Sequence, residues 1–197
     1  MPSDKRVNVA SPNLDVSLSD GRILLRPFHF DDIDELFAAA RESIDEVGRW
    51  LPWCHYDYTR EESSAWVESR PQAWRDGVEY SFAIIDRATG RFLGGSGLNQ
   101  FDYERQRANL GYWVRASAMS SGYGTAAARL LARWGVEALH LERMEIVAAV
   151  GNIASQRVAI KAGAMREGIA RSRIRIRSEQ LNAVVFSLVR ADVTTHD

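Results

Sequence analysis

One cysteine, five prolines and four histidines leave this 197-residue chain short of staples and metal ligands. A lone thiol, Cys54, excludes an intrachain disulfide and any zinc site built from cysteines, and the scattered histidines lack metal-ligand spacing, so no metal is expected. No apolar run approaches the roughly 18 residues that a membrane-spanning helix needs. Residues 1–20 hold two basic side chains with no apolar stretch behind them, which is not a signal-peptide pattern. An excess of one charge is missing too. With 25 Lys and Arg against 26 Asp and Glu, the net charge is -1 and the sequence pI about 6.4. Nothing global draws the chain to nucleic acid or to an anionic membrane, so any electrostatic partner must be held by a local patch. The expectation is a cytoplasmic, reducing setting.

What is present suffices for one core: 46% of residues are hydrophobic. The expected layout is a flexible leader at 1–20, one domain at 21–192 and a short tail at 193–197. Residues 22–26 read as a strand stopped by Pro27, and Asp31 as the N-cap of a helix with Ile33, Leu36, Phe37 and Ala40 on one side. Trp50-Leu51-Pro52-Trp53 breaks that helix. Thr59 and Glu62 have capping-box spacing and open a second helix, which Pro71 is expected to bend or divide. Strands follow at 80–86, 91–101 and 108–115, the first two joined by Ala88-Thr89-Gly90. Then come an amphipathic helix at 125–139, a strand at 144–150, and a helix at 153–162 between Asn152 and Gly163. Strands at 165–177 and 180–190 close the chain. The order β-α-α-β-β-β-α-β-α-β-β implies an α/β (α+β) fold, a mixed sheet with helices on its faces.

One loop carries chemistry. A strand leads through Ser120-Ser121-Gly122-Tyr123-Gly124 into a helix whose first amides are unpaired and whose dipole favours negative charge. Taken alone, a G-x-G before a helix is equally a plain turn. The surrounding residues decide. Residues 22–27, Trp50-Leu51-Pro52-Trp53, Leu110-Gly111-Tyr112-Trp113-Val114, residues 121–128, Asn152-Ile153-Ala154-Ser155, and Glu167-Gly168 after Ala162-Gly163-Ala164 together span about residues 20–190. This set resembles the Gcn5-related N-acetyltransferases (GNAT), and more narrowly their RimJ/RimL branch, whose named members acetylate N-termini of ribosomal proteins.

The resemblance implies a mostly antiparallel sheet of about seven strands with about four helices, and acetyl-CoA as co-substrate. It implies that Ser120, Ser121, Gly122, Tyr123, Gly124 and Thr125 hold the CoA pyrophosphate and that the Val114 amide faces the thioester oxygen, as an oxyanion donor would. Asn152 would bond the pantetheine arm. Ser155 would protonate the leaving thiolate, directly or through water, a role that many relatives give to tyrosine. On residue chemistry alone, Asn152 is equally a helix cap and Ser155 a first-turn polar residue. Two positions depart from the family pattern. Met119 stands where the loop usually begins with Arg or Gln, and Asn109 where many relatives have a glutamate base.

Without that base, the acceptor amine must lose its own proton. An α-amine of pKa about 7.8 starts about 2.5 pK units closer to reactivity than a lysine at about 10.4, equivalent to roughly 3.5 kcal/mol. A protein or peptide N-terminus is therefore the favoured acceptor. The alternatives are a small amine (polyamine, aminoglycoside or amino acid) and a non-catalytic acyl-CoA-binding module. By resemblance Trp50, Trp53 and His55 wall the acceptor site, though tryptophans pack as often as they bind. Tyr112 and Trp113 read as packing. Arg171, Arg173, Arg175 and Arg177 alternate with apolar and small residues, so period two predicts all four on one face of the penultimate strand. That face is either solvated or a basic surface for an acidic tail or RNA phosphates. A homodimer is kept as a possible assembly.

Overall fold

Period-two burial marks the first long strand: Ile23, Leu25 and Pro27 are buried while Leu24 and Arg26 are half-exposed. In the computed structural model, which describes residues 14–194, this strand joins a single sheet of eight. The strands are β1 Leu18–Ser19, β2 Ile23–Pro27, β3 Glu79–Asp86, β4 Phe92–Asp102, β5 Arg107–Val114, β6 Arg143–Ala149, β7 Met165–Ile176 and β8 Glu179–Val189. They lie in the order β1-β2-β3-β4-β5-β6-β8-β7. The helices are α1 Ile33–Glu42, α2 Arg60–Arg75, α3 Tyr123–Leu139, α4 Ile153–Ala162 and the short α5 Arg190–Thr194.

The sheet separates two layers of helix. Tyr80, Phe82, Leu98, Leu110 and Met144 bury one face against Ala127, Leu131 and Trp134 of α3. On the other face Ala83, Ile85 and Phe92 are covered by Ile33, Leu36 and Ala39 of α1 and by Val67 of α2. Each large side chain sequestered this way contributes about 1.5–3 kcal/mol. Among the described residues, β5 and β6 are the one parallel pair. Their register holds from Arg107↔Arg143 to Asn109↔Glu145. Beyond that β5 stays with β4 and β6 with β8, and a wedge opens between them.

Four expectations give way. The sheet begins at Leu18, inside the expected leader, because Leu18 and Ser19 pair with Leu25 and Leu24; residues 1–13 of the leader and 195–197 of the tail lie outside the described residues. The first α-helix is capped one residue later than expected, at Asp32, after a 3-10 turn. The Asp32 carboxylate is engaged with Arg26 at 2.7 Å through both oxygens. Pro71 does not divide α2. It removes one helix hydrogen bond, at a cost of about 3 kcal/mol, but the turn beyond it is anchored by Trp74, which is buried among Tyr80, Phe82 and Trp134.

The fourth is the arginine row. Between Ala170↔Ala183 and Ile174↔Leu181, β7 advances four residues while β8 advances two. Arg171, Ser172 and Arg173 therefore bulge, with Ser172 at φ 49° and held by Asn182 and Gln180. A bulge takes its residues out of the paired ladder. Arg177 sits in the hairpin turn at φ 54° and donates to the Gly48 carbonyl at 3.3 Å. Of the four arginines only Arg175 lies in the paired ladder, opposite Gln180, so the row is not one unbroken period-two series.

Candidate active site

Where β5 ends, the chain turns through Ala116–Ala118 and reaches α3 by way of Ser120 (φ 63°) and Gly122 (φ 83°). Left-handed backbone at the N-cap is open to glycine without strain. Glycine also offers no side chain to cap the helix, and no side-chain cap bond is made. The first-turn amides of Tyr123, Gly124 and Thr125 thus lack intrahelical partners, and the helix dipole adds partial positive charge. A Cβ on Gly124 would meet only ordinary contacts, at 3.6 Å from Val114 and from Val158. The protein's own packing does not require glycine there.

The wedge lies beside this loop. The Arg115 amide donates to the Leu93 carbonyl at 2.8 Å, toward β4. Alternation along an antiparallel strand then turns the Val114 N–H the other way, into the wedge. Arg115 itself is buried. It forks onto Glu42 at 2.9 and 2.6 Å, reaches Glu35 at 3.2 Å and donates to the Phe92 carbonyl at 3.0 Å. Glu42 also accepts from the Ser117 amide and hydroxyl. The Arg115 side-chain bond, followed by those from Ser117 and opposed by burial, holds its carboxyl down at about 2. Both ends of the loop's entry are thereby clamped to α1.

Asn152 caps α4, its side-chain oxygen accepting from the Ser155 amide at 3.1 Å. Across the wedge Tyr112 donates to the Ser155 carbonyl at 2.9 Å, and its oxygen is 3.2 Å from Ser155 Oγ. Burial pushes the Tyr112 phenol up to about 12, against the lowering effect of the Ser155 bond, so it stays protonated at any ordinary pH. Sequence reasoning read Tyr112 as packing and missed this contact, which joins residues 43 apart.

These elements enclose a cleft of about 1290 Å³. Val114, Ser120, Gly122, Tyr123, Gly124, Thr125, Asn152 and Ser155 line it, as do Trp50 and Trp53. Ser121 and His55 are not among its lining residues. His55 Nε2 is 3.2 Å from Glu62, whose carboxylate is on the wall. Trp53 packs edge-on against Trp113 at 5.2 Å and Tyr58 at 5.7 Å. Trp50 closes over Gly151, where a Cβ would come within 3.2 Å of the indole. Cys54 is buried, and desolvation raises its thiol pKa, which removes it as a nucleophile.

The open sheet face forms the cleft floor. Glu79, Asn99, Asn109 and Glu145 fall opposite one another on four adjacent strands. Asn109 Nδ2 donates to Asn99 Oδ1 at 3.0 Å. Glu79 accepts from Ser81 Oγ at 2.6 Å, and its other oxygen is 2.8 Å from Arg70 Nη1. That second approach lies off the hydrogen-bonding direction, so it is an ionic contact rather than a directed bond. Glu79 was missed from the sequence because its place on the floor depends on register. Among the described residues no group of three His, Cys, Asp or Glu could hold a metal.

Residues 22–165 match the family described as "Acetyltransferase (GNAT) domain". The chain belongs to the GNAT acetyltransferase family. It is an acetyl-CoA-dependent acyltransferase. A Bacillus subtilis (strain 168) relative, "Putative ribosomal N-acetyltransferase YdaF", is 27% identical over 176 residues, covering 86% of this chain and 92% of the relative. A Vibrio cholerae structure described as "a putative ribosomal-protein-serine acetyltransferase" is 29% identical with TM-score 0.80, covering 90% of this chain and 99% of that one. Mycobacterium smegmatis RimJ, solved in complex with CoA-disulfide, shares the fold at TM-score 0.81 and 19% identity, over 91% of this chain and 88% of its own.

Proposed function

We propose that this GNAT enzyme acetylates the α-amine of a protein or peptide N-terminus. One observation carries the reading: the floor of the cleft holds the amide pair Asn99–Asn109 at the site where a carboxylate base would stand. An acceptor there receives no strong base from Asn109, which favours the amine that is already partly neutral near pH 7. The names of the Bacillus and Vibrio relatives support the same class of acceptor.

In this proposal the amides of Ser120 to Thr125 hold the CoA pyrophosphate, and Asn152 bonds the pantetheine arm. Trp50 and Trp53 wall the acceptor, and His55 acts there only through Glu62. The neutral amine attacks the thioester carbon, and the oxygen that gains charge is met by the Val114 N–H. As the C–S bond breaks, the attacking nitrogen gives up its extra proton to solvent, the thiolate takes the Ser155 hydroxyl proton, and Ser155 takes a proton back from solvent. The setting is cytoplasmic, and among the described residues no helix is long and apolar enough to cross a membrane.

The test is steady-state acetylation, read by mass spectrometry, of peptides with free and blocked N-termini against spermidine, an aminoglycoside and free amino acids. A free-terminus peptide should lead by at least about tenfold in kcat/KM, with a rate that rises with pH and levels near 8. A continued rise toward 10 with lysine side chains or polyamines would overturn it. The second reading, a small polycationic amine, has the Glu62 and Glu79 carboxylates on the cleft wall in its favour.

A further inference from the structure

The phosphate loop lacks a cation of its own, because position 119 is methionine. A cation from elsewhere stands against it. Arg22, immediately before β2, donates through Nη2 to the Ser121 carbonyl at 3.0 Å. Its Nη1 lies 3.9 Å from where a Cβ on Gly122 would sit, and its guanidinium is 5.5 Å from the Tyr123 ring centre. The group is therefore fixed beside the amides that open α3, with further N–H donors to spare.

Next to it is a hollow of about 520 Å³, separate from the main cleft but sharing Gly122, Thr125 and Lys161 with it. Arg22, Arg129 of α3 and Lys161 of α4 line this hollow. Arg129 donates to the Lys161 carbonyl, which ties the two helices together at this point. Among the described residues none of these three cations is paired with a carboxylate. The one carboxylate in the lining, Asp20, accepts from the backbone amides of Arg22 and Ile23 at 2.9 Å each, so it serves the turn into β2. In a chain of net charge -1, three unpaired cations around one concavity are a local anion site rather than a share of general basicity.

CoA carries anions at two places: the diphosphate and a 3′-phosphate on the ribose. We infer that Arg22 replaces the cation missing at position 119 and binds the diphosphate, while Arg129 and Lys161 seat the 3′-phosphate in the adjoining hollow. The inference rests on the acetyl-CoA assignment of the loop, and it predicts discrimination between phosphorylated and dephosphorylated donor. Arg22 acts on both ligands, since both keep the diphosphate. Arg129 and Lys161 act only on the first.

Calorimetric titration of the full chain with CoA and with 3′-dephospho-CoA tests both halves. The wild-type protein should bind CoA at least about tenfold more tightly, with the gap narrowing as salt is raised. Arg129→Gln with Lys161→Gln should bring the two affinities together. Arg22→Gln should weaken both ligands by about tenfold, and Met119→Arg added to it should restore most of the loss. Thermal melts of each variant confirm that it is folded. Equal wild-type affinities would overturn the 3′-phosphate seat. Unchanged binding by Arg22→Gln, or failure of Met119→Arg to restore it, would overturn the role of Arg22. No binding of either ligand by the wild-type protein would instead remove the loop assignment beneath both.

Discussion

The two walls of the cleft are made of different material. The wall assigned to the donor in the proposed function is mostly main chain: the amides of Tyr123, Gly124 and Thr125, the Val114 N–H, and a turn kept bare by Gly122 and Gly124. The wall assigned to the acceptor in the proposed function is mostly side chain: Trp50, Trp53 and Trp113 above, and Glu79, Asn99 and Asn109 on the floor. A wall of amides recognises what every acetyl-CoA presents, and it tolerates sequence change as long as the backbone keeps its path. A wall of side chains can be recut for each acceptor. The chemistry is accordingly read from the first wall and the substrate from the second.

The contrast is tested most severely at the glycines. Valine at both Gly122 and Gly124 should lower CoA affinity by about a hundredfold or more in a calorimetric titration. The first valine would force an L residue into φ 83°, and the second would drive branched carbons into Val114 and Val158. Gly124→Ala alone should fold normally, because its Cβ has room; weaker CoA binding in that variant would show that the bare surface serves the ligand. Unchanged affinity in the double variant would discredit the donor wall altogether.

Ser155→Ala comes next. Loss of a positioned acid should reduce kcat by roughly 10²-fold while the KM for acetyl-CoA stays within about twofold. Tyr112→Phe, which deletes only the hydroxyl touching Ser155, should cost less. Undiminished turnover in Ser155→Ala would take the side chain out of the reaction.

How much of each wall could be read in advance follows from how far apart its parts are in the chain. The loop, its helix, the Thr59–Glu62 cap and the Asn152–Ser155 turn each fit within a few residues, so local spacing reveals them. Glu79 reaches Asn99 only through the β3–β4 register, and Tyr112 reaches Ser155 across the wedge. No periodicity encodes those meetings. The arginine row failed for a related reason: period two is a property of an unbroken strand, and the bulge at Arg171, Ser172 and Arg173 depends on β8 supplying Asn182 and Gln180. The clamp from Arg115 to Glu42, which spans 73 residues, was equally invisible.

That clamp holds the backbone between Val114 and the loop in place through a side chain. Arg115→Met should destabilise the fold by about 2 kcal/mol, below the usual cost of breaking a fully buried pair because Glu42 remains partly exposed. It should also loosen the Val114 segment, seen as faster amide exchange from Val114 to Thr125. The pH dependence has a definite sign. Glu42 is held at about 2 in the folded protein against 4.5 unpaired, so its contribution is complete above pH 4.5 and disappears as pH falls toward 2. The stability gap between wild type and variant should therefore be constant from pH 5 to 7 and shrink below 4.5. A gap independent of pH across that window would mean that Arg115 acts by packing and not through the Glu42 charge.

The smallest effect belongs to the acceptor wall. Trp53 lies edge-on to Trp113 and Tyr58 and is more than a third exposed, so Trp53→Ala removes a surface from the cleft without opening the core. The KM for a peptide acceptor should rise several-fold, with acetyl-CoA affinity unchanged and the melting temperature lowered by only a few degrees. Because one aromatic contact is worth about 0.5–1.5 kcal/mol beyond its buried area, a change much larger than tenfold would indicate collapse of the segment from Trp50 to Tyr58. Equal losses in donor and acceptor binding would be more damaging, since they would mean that the two walls are not separable and that the acceptor side cannot be recut while the donor side is left alone.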